Sequence, residues 1–229
     1  MSTQRLSQLP YDETCRACPR LAGFLDDVQA KYPSFFCKPV PPFGDPNAQF
    51  LIVGLAPGMK GANASGRPFT GDRCSDFLYG ALHRAGFASA PRSVSATDGL
   101  QLLNLRISNA VKCLPPDNKP TLTEIRECNR FLRAELTAAA PHAVPNTVPN
   151  TSLLKAILAL GGVAHRAVVE AYGFKASKLP FTMGGEHAMP GGVRLYNCYH
   201  VSPLNTNTGR LTKEQFDELL QRIRTALAR

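Results

Sequence analysis

The sequence predicts an α/β fold, one domain with a mainly parallel central sheet of about four strands flanked by helices. Three observations predict it. Short apolar runs of strand length alternate along the chain with segments of helical periodicity. Glycine or a polar loop follows several of those runs. The 229 residues suffice for one core without disulfide staples, and no linker-like shift in composition divides them.

In chain order, residues 11–32 read as mostly helical, interrupted early by Pro19, and residues 34–46 as a proline-rich loop. The run Phe50, Leu51, Ile52, Val53 stops at Gly54 and reads as a buried strand. Residues 54–72 are rich in glycine and too irregular for helix or strand. Residues 75–86 place Phe77, Leu78, Leu82 and Ala85 at helical spacing, and 102–111 read as a second strand. Residues 123–139 read as a helix with Thr123 as its cap. The near-repeat VPNT-VPNT within 141–151 reads as a polar loop of two turns. A third strand, 153–160, ends at Gly161-Gly162 and is followed by a helix at 164–172. A fourth strand, 193–199, runs into His200, and an amphipathic helix closes the chain at 213–228.

Lys plus Arg number 26 against 17 Asp plus Glu, a formal charge of +9, which points to a polyanionic partner. The apolar fraction of 44% and charged fraction of 19% argue against disorder. No run approaches the ~18 apolar residues of a membrane span, and no basic-then-apolar leader opens the chain. The expected setting is the cytosol, where seven cysteines call for a role other than disulfides. Cys15 and Cys18 form a C-x-x-C pair that precedes any strand signal, so metal binding is preferred to a redox motif.

Chemistry concentrates after two strands, where open α/β sheets bind ligands. The first loop, GLAPGMKGANASGRPFTGD, brings backbone amides close to a ligand and places Phe69 and Asp72 beside its glycines. It has neither the dinucleotide fingerprint nor the closing G-K-[ST] of a phosphate loop. The second, HVSPLNTNTGRLT, offers His200, Ser202, Asn205 and Arg210 to an oxygen-rich ligand.

Both loops resemble the signature motifs of the uracil-DNA glycosylase superfamily. The second is similar to its H-P-S-P-L loop, with Val201 in place of the common proline. The first resembles the B-type, fifth-family iron–sulfur enzymes. The segment NAVKCLPPDNKPTLTEIRECNRFL is similar to their cysteine-bearing segment, so Cys113 and Cys128 join Cys15 and Cys18 as ligands. Four thiolates suit zinc or a cluster; the resemblance implies a 4Fe-4S cluster. Cys37, Cys74 and Cys198 are left as structural residues.

The resemblance implies excision of uracil, and of deaminated purines in its B-type relatives, from double- or single-stranded DNA after base flipping by a nucleoid-associated monomer. It assigns catalysis to Asp72, His200 and Asn205, and base binding to Gly54, Ala56, Phe69 and Asn109. Asn109 is either a reader of the pyrimidine edge or a strand-end turn residue. Leu204 stands at the wedge position that fills the gap left by the extruded base. Lys60, Arg67, Ser202 and Arg210 complete the expected DNA contacts. Ala56 carries no polar side chain where other branches place a water-activating one. That absence leaves open the competing class, a non-catalytic iron–sulfur protein that recognises lesions or senses redox state.

Overall fold

The computed structural model describes residues 11–138 and 153–228; the VPNT-VPNT segment lies outside them. Six strands form one sheet: β1 (Phe43–Gly44), β2 (Phe50–Gly54), β3 (Leu105–Asn109), β4 (Ala156–Leu160), β5 (Glu186–Ala188) and β6 (Arg194–Cys198). Their order is β1-β3-β2-β4-β6-β5. The central four are parallel, and β1 and β5 pair antiparallel at the edges. The sequence foretells the central four. The edge strands are two and three residues long, too short to display a period of two.

Alternation along β2 builds both cores. Phe50 and Ile52 face one side, with Leu78, Leu82, Phe216 and Leu220 from α3 (Arg73–Arg84) and from α7 (Lys213–Leu227), which follows the single turn α6 (Pro203–Asn207). Leu51 and Val53 face the other, with Leu132, Ala164 and Val168 from α4 (Leu122–Ala138) and α5 (Gly162–Ala171). The central strands are buried on both faces, which is why they read as continuous apolar runs.

Three local expectations are corrected. Pro19 does not interrupt a helix; it starts α1 (Pro19–Lys31), because its fixed φ suits the first helical position, where an N–H would be unpaired anyway. The cap of α4 is Thr121 rather than Thr123. Its Oγ1 accepts from the Glu124 amide at 3.2 Å, and Glu124 Oε2 accepts from the Thr121 amide at 2.7 Å, a reciprocal capping box. The glycine-rich loop contains one helical turn, α2 (Ala62–Ser65).

Glu124 also receives Arg20 through both carboxylate oxygens, at 2.8 and 2.7 Å. This pair ties α1, and the cysteines just before it, to the start of α4.

Candidate active site

The parallel register sets Gly54 opposite Asn109 at the C-terminal ends of β2 and β3. Gly54 cannot carry a side chain there. A Cβ would lie 2.4 Å from Asn109 Oδ1 and 2.8 Å from the Phe69 ring. Beyond these ends opens a cavity of about 440 Å³, lined by Ala56, Phe69, Asp72, Asn109, His200 and Ser202 among others. The two loops singled out in the sequence therefore meet over one space.

Phe69 adopts a left-handed conformation, φ 50°, unusual for a residue with a side chain. Its loop is held from behind. Tyr79 donates to Pro68 O at 2.9 Å, and Arg67 donates to Thr70 Oγ1 at 3.0 Å, Ser93 Oγ at 2.5 Å and Asp98 Oδ2 at 2.6 Å. The Phe69 and His200 rings stand 6.0 Å apart at 30°.

Asp72 caps α3, its Oδ1 accepting from the Ser75 amide at 3.0 Å. Its other oxygen faces the glycines of the first loop: a Cβ on Gly61 would sit 2.2 Å from Oδ2. Burial raises the Asp72 carboxyl above its ordinary range, against the lowering effect of the amides of Ser75 and Cys74. Burial also lowers His200, which keeps the imidazole neutral at pH 7. Asn205 does not line the cavity. Its Nδ2 donates to His200 O at 2.8 Å, which fixes the loop that carries the histidine. Asn109 is 3% exposed, and its Oδ1 is buried with no hydrogen-bond partner among the described residues.

Of the expected DNA contacts, Lys60 and Arg210 are exposed, and Leu204 is 70% exposed. Arg67 is corrected: at 4% exposure it is an internal tie, stacked 4.8 Å from the centre of the Phe43 ring. Cys74, expected to be a structural residue, lines the cavity, as does Asn118, which no motif reading marks. Cys74 lies two residues after Asp72, so only the turn into α3 could have signalled it.

Cys15, Cys18, Cys113 and Cys128 line one small, mostly apolar pocket. Burial, and then the neighbouring thiols, pushes Cys113 up to about 12; Cys18 is pushed up to about 11. Two of the sulfurs accept N–H donors: Cys128 from the Lys112 amide and Cys15 from Arg130, both at 3.2 Å. Among the described residues, no three His, Cys, Asp or Glu side chains close around a single-ion point. No described helix is long and apolar enough to cross a membrane.

A larger groove of about 620 Å³ lies at the opposite end of β6, between it and α7. Arg194 and Arg222 there both pair with Glu186. It shares no residue with the motifs.

The family model described as the uracil DNA glycosylase superfamily matches residues 41–224. The chain is 42% identical over 211 residues to the type-5 uracil-DNA glycosylase of Thermus thermophilus, covering 90% of each chain. To that of Pyrobaculum aerophilum it is 42% identical over 212 residues, 91% of this chain and 87% of the other. A type-4 uracil-DNA glycosylase of Pyrobaculum aerophilum is more distant, 30% identical over 166 residues, 72% of this chain and 70% of the other.

Proposed function

The chain belongs to the uracil-DNA glycosylase superfamily, and from that premise we propose that it excises uracil from DNA by hydrolysing the N-glycosidic bond. The observation that carries this reading is the buried, unpartnered Asn109 Oδ1 at a cavity shared by Phe69, Asp72 and His200. An orphaned buried acceptor is costly, and an imide N–H supplies its partner.

The base leaves the stack to reach this cavity. Phe69 stacks on it, and Asn109 accepts from its N3–H and donates to O4. As the bond to C1′ breaks, its electron pair goes to the base. His200 donates to the developing anion; a neutral imidazole has one N–H for this. Asp72 faces the cationic sugar, orients the water that adds to C1′ and takes the proton this water loses. The ionised carboxylate is the competent form, so its raised pKa places the acid limb of the rate above the ordinary carboxylate range. Leu204, exposed on the second loop, fills the gap in the duplex. Ala56 borders the cavity, and Gly54 leaves room beside it for Asn109 and Phe69. The substrate is double- or single-stranded DNA, and the monomer is the working unit.

The cysteine pocket fits a 4Fe-4S cluster in its donor set: four thiols around one pocket, with N–H donors on two sulfurs. Cys15, Cys18, Cys113 and Cys128 would hold it as thiolates, and when bound it would crosslink the segment before α1 to the β3–α4 segment; no step of bond cleavage is routed through it.

The test is incubation with a uracil-containing duplex followed by alkali. Strand breakage at uracil is expected from protein that carries about four irons per chain. Tight binding to uracil DNA without an alkali-labile site would favour a lesion sensor instead, and zinc in anaerobically purified protein would overturn the cluster.

A further inference from the structure

Lys112 is the most buried lysine or arginine among the described residues, at 1% exposure, and the proposed chemistry does not use it. Its side chain folds back toward β3. The ammonium donates to Ser108 Oγ, to Asn109 O at 3.1 Å and to Glu135 Oε1 at 2.6 Å, so each of its three protons has an acceptor. Its backbone is held as well. The amide donates to Cys128 Sγ at 3.2 Å, and the carbonyl accepts from the Val40 amide at 2.7 Å.

One residue is thus fastened to the cysteine pocket through its backbone and to Asn109 through its side chain. We propose that Lys112 is a positioning residue that sets the Asn109 amide from the cysteine centre, and thereby sets how well the site grips its base. The proposal rests on the reading of Asn109 as the group that meets the base.

The physical case is one of orientation. A buried ion pair is weak evidence for stability, since apolar residues of similar volume often replace such pairs without loss. This pair does something an apolar pair cannot. It places a donor on the carbonyl of the one β3 residue whose side chain enters the cavity. Past Asn109 the chain keeps its pairing to the first loop, Ala110 N–H to Gly54 O at 2.9 Å and Val111 N–H to Leu55 O at 3.0 Å. The Asn109 backbone is therefore pinned from the loop side and from the Lys112 side. An amide that must meet one edge of a base needs its backbone held, because a shift of the strand end carries the side chain away from that edge.

Lys112→Met alone would strand Glu135, so the paired change Lys112→Met with Glu135→Gln carries the test; it removes both charges and keeps the volume. Metal content, visible absorbance and affinity for undamaged duplex are expected at wild-type values. Single-turnover uracil excision is expected to fall about tenfold, the scale on which small misplacements act. Hydrogen exchange at Ala110 and Val111 is expected to quicken. The deciding measurement is a double-mutant cycle with Asn109→Ala. If Lys112 acts through Asn109, the triple variant is no slower than Asn109→Ala itself. Losses that multiply, or a wild-type rate in the paired variant, overturn the proposal while Asn109 stands. A wild-type rate in Asn109→Ala overturns the base-reading role, and this proposal falls with it. Ser108→Ala runs the same cycle at smaller amplitude if the paired variant does not accumulate.

Discussion

The two loops over the cavity are built in opposite ways. The first, from Gly54 to Asp72, is an interior structure: Asn63, Arg67, Phe69 and Thr70 are all buried, and side-chain bonds to Ser93 and Asp98 brace it from behind. The second, from His200 to Thr212, is short of such ties. Leu204, Asn207 and Arg210 are exposed, and its braces are local, among them the bonds from Asn205 Nδ2 to His200 O and from the Leu211 amide to Asn205 O. Both loops line the cavity, but the first is braced rigidly from behind while the second, beyond His200, presents groups outward. The same residue type takes opposite roles in them: Arg67 is structure and Arg210 is surface.

Arg67 offers the largest break in this contrast. Removing one partner of a buried pair costs about 3–5 kcal/mol. Arg67→Met should therefore lower the melting temperature sharply, while the folded fraction keeps its salt dependence of DNA binding. Thermal melts and salt titrations read both. A wild-type melt with a flattened salt slope would return Arg67 to the DNA surface.

Asp72 sharpens it from the chemical side. Asp72→Asn should slow single-turnover uracil excision roughly a hundredfold or more. It should not destabilise the fold, because an asparagine oxygen still caps α3. The pH dependence fixes the sign. The folded carboxyl titrates above its ordinary value, so its ionisation opposes folding. That cost is absent below the ordinary carboxylate pKa and complete above the raised one. The variant should thus match wild type in acid and equal or exceed its melting temperature at neutral pH. A large loss of stability at neutral pH would mean that the carboxylate is held for structure rather than for water.

How much of this was legible in the sequence follows from where each signal comes from. The central strands were readable because burial on both faces leaves unbroken apolar runs, as in Phe50–Gly54. The site was readable as two motifs, since Asp72, Phe69, Asn109 and His200 owe their places to strand ends and to glycines that permit close approach. Charge was read least well. Arg67 looked like a phosphate contact because arginine is usually exposed, and its partners Ser93 and Asp98 lie far along the chain. Lys112 went unnoticed for the same reason: Glu135, which explains its burial, is 23 residues away. Tertiary pairing of this kind leaves no local period to detect.

The smallest expected effect belongs to Arg210, and it tests the outward half of the comparison. Its guanidinium sits 5.8 Å from the centre of the Tyr199 ring, which directs an otherwise exposed side chain beside the His200 strand end. A phosphate held there releases condensed counterions when DNA binds. Arg210→Ala should therefore weaken duplex binding by a few-fold at low salt and reduce the slope of log affinity against log salt by about 0.9. Lys60→Ala, at an exposed position of the first loop, should do the same. Because neither residue touches the base, the loss should be equal for uracil-containing and undamaged duplex, and single-turnover rates at saturating enzyme should not change. Salt titrations of both duplexes, with each variant, measure all three quantities. If Arg210→Ala instead lowers the saturated rate and leaves the slope alone, the second loop is part of the chemistry beyond His200. The division of labour between the two loops would then fail at its outward half.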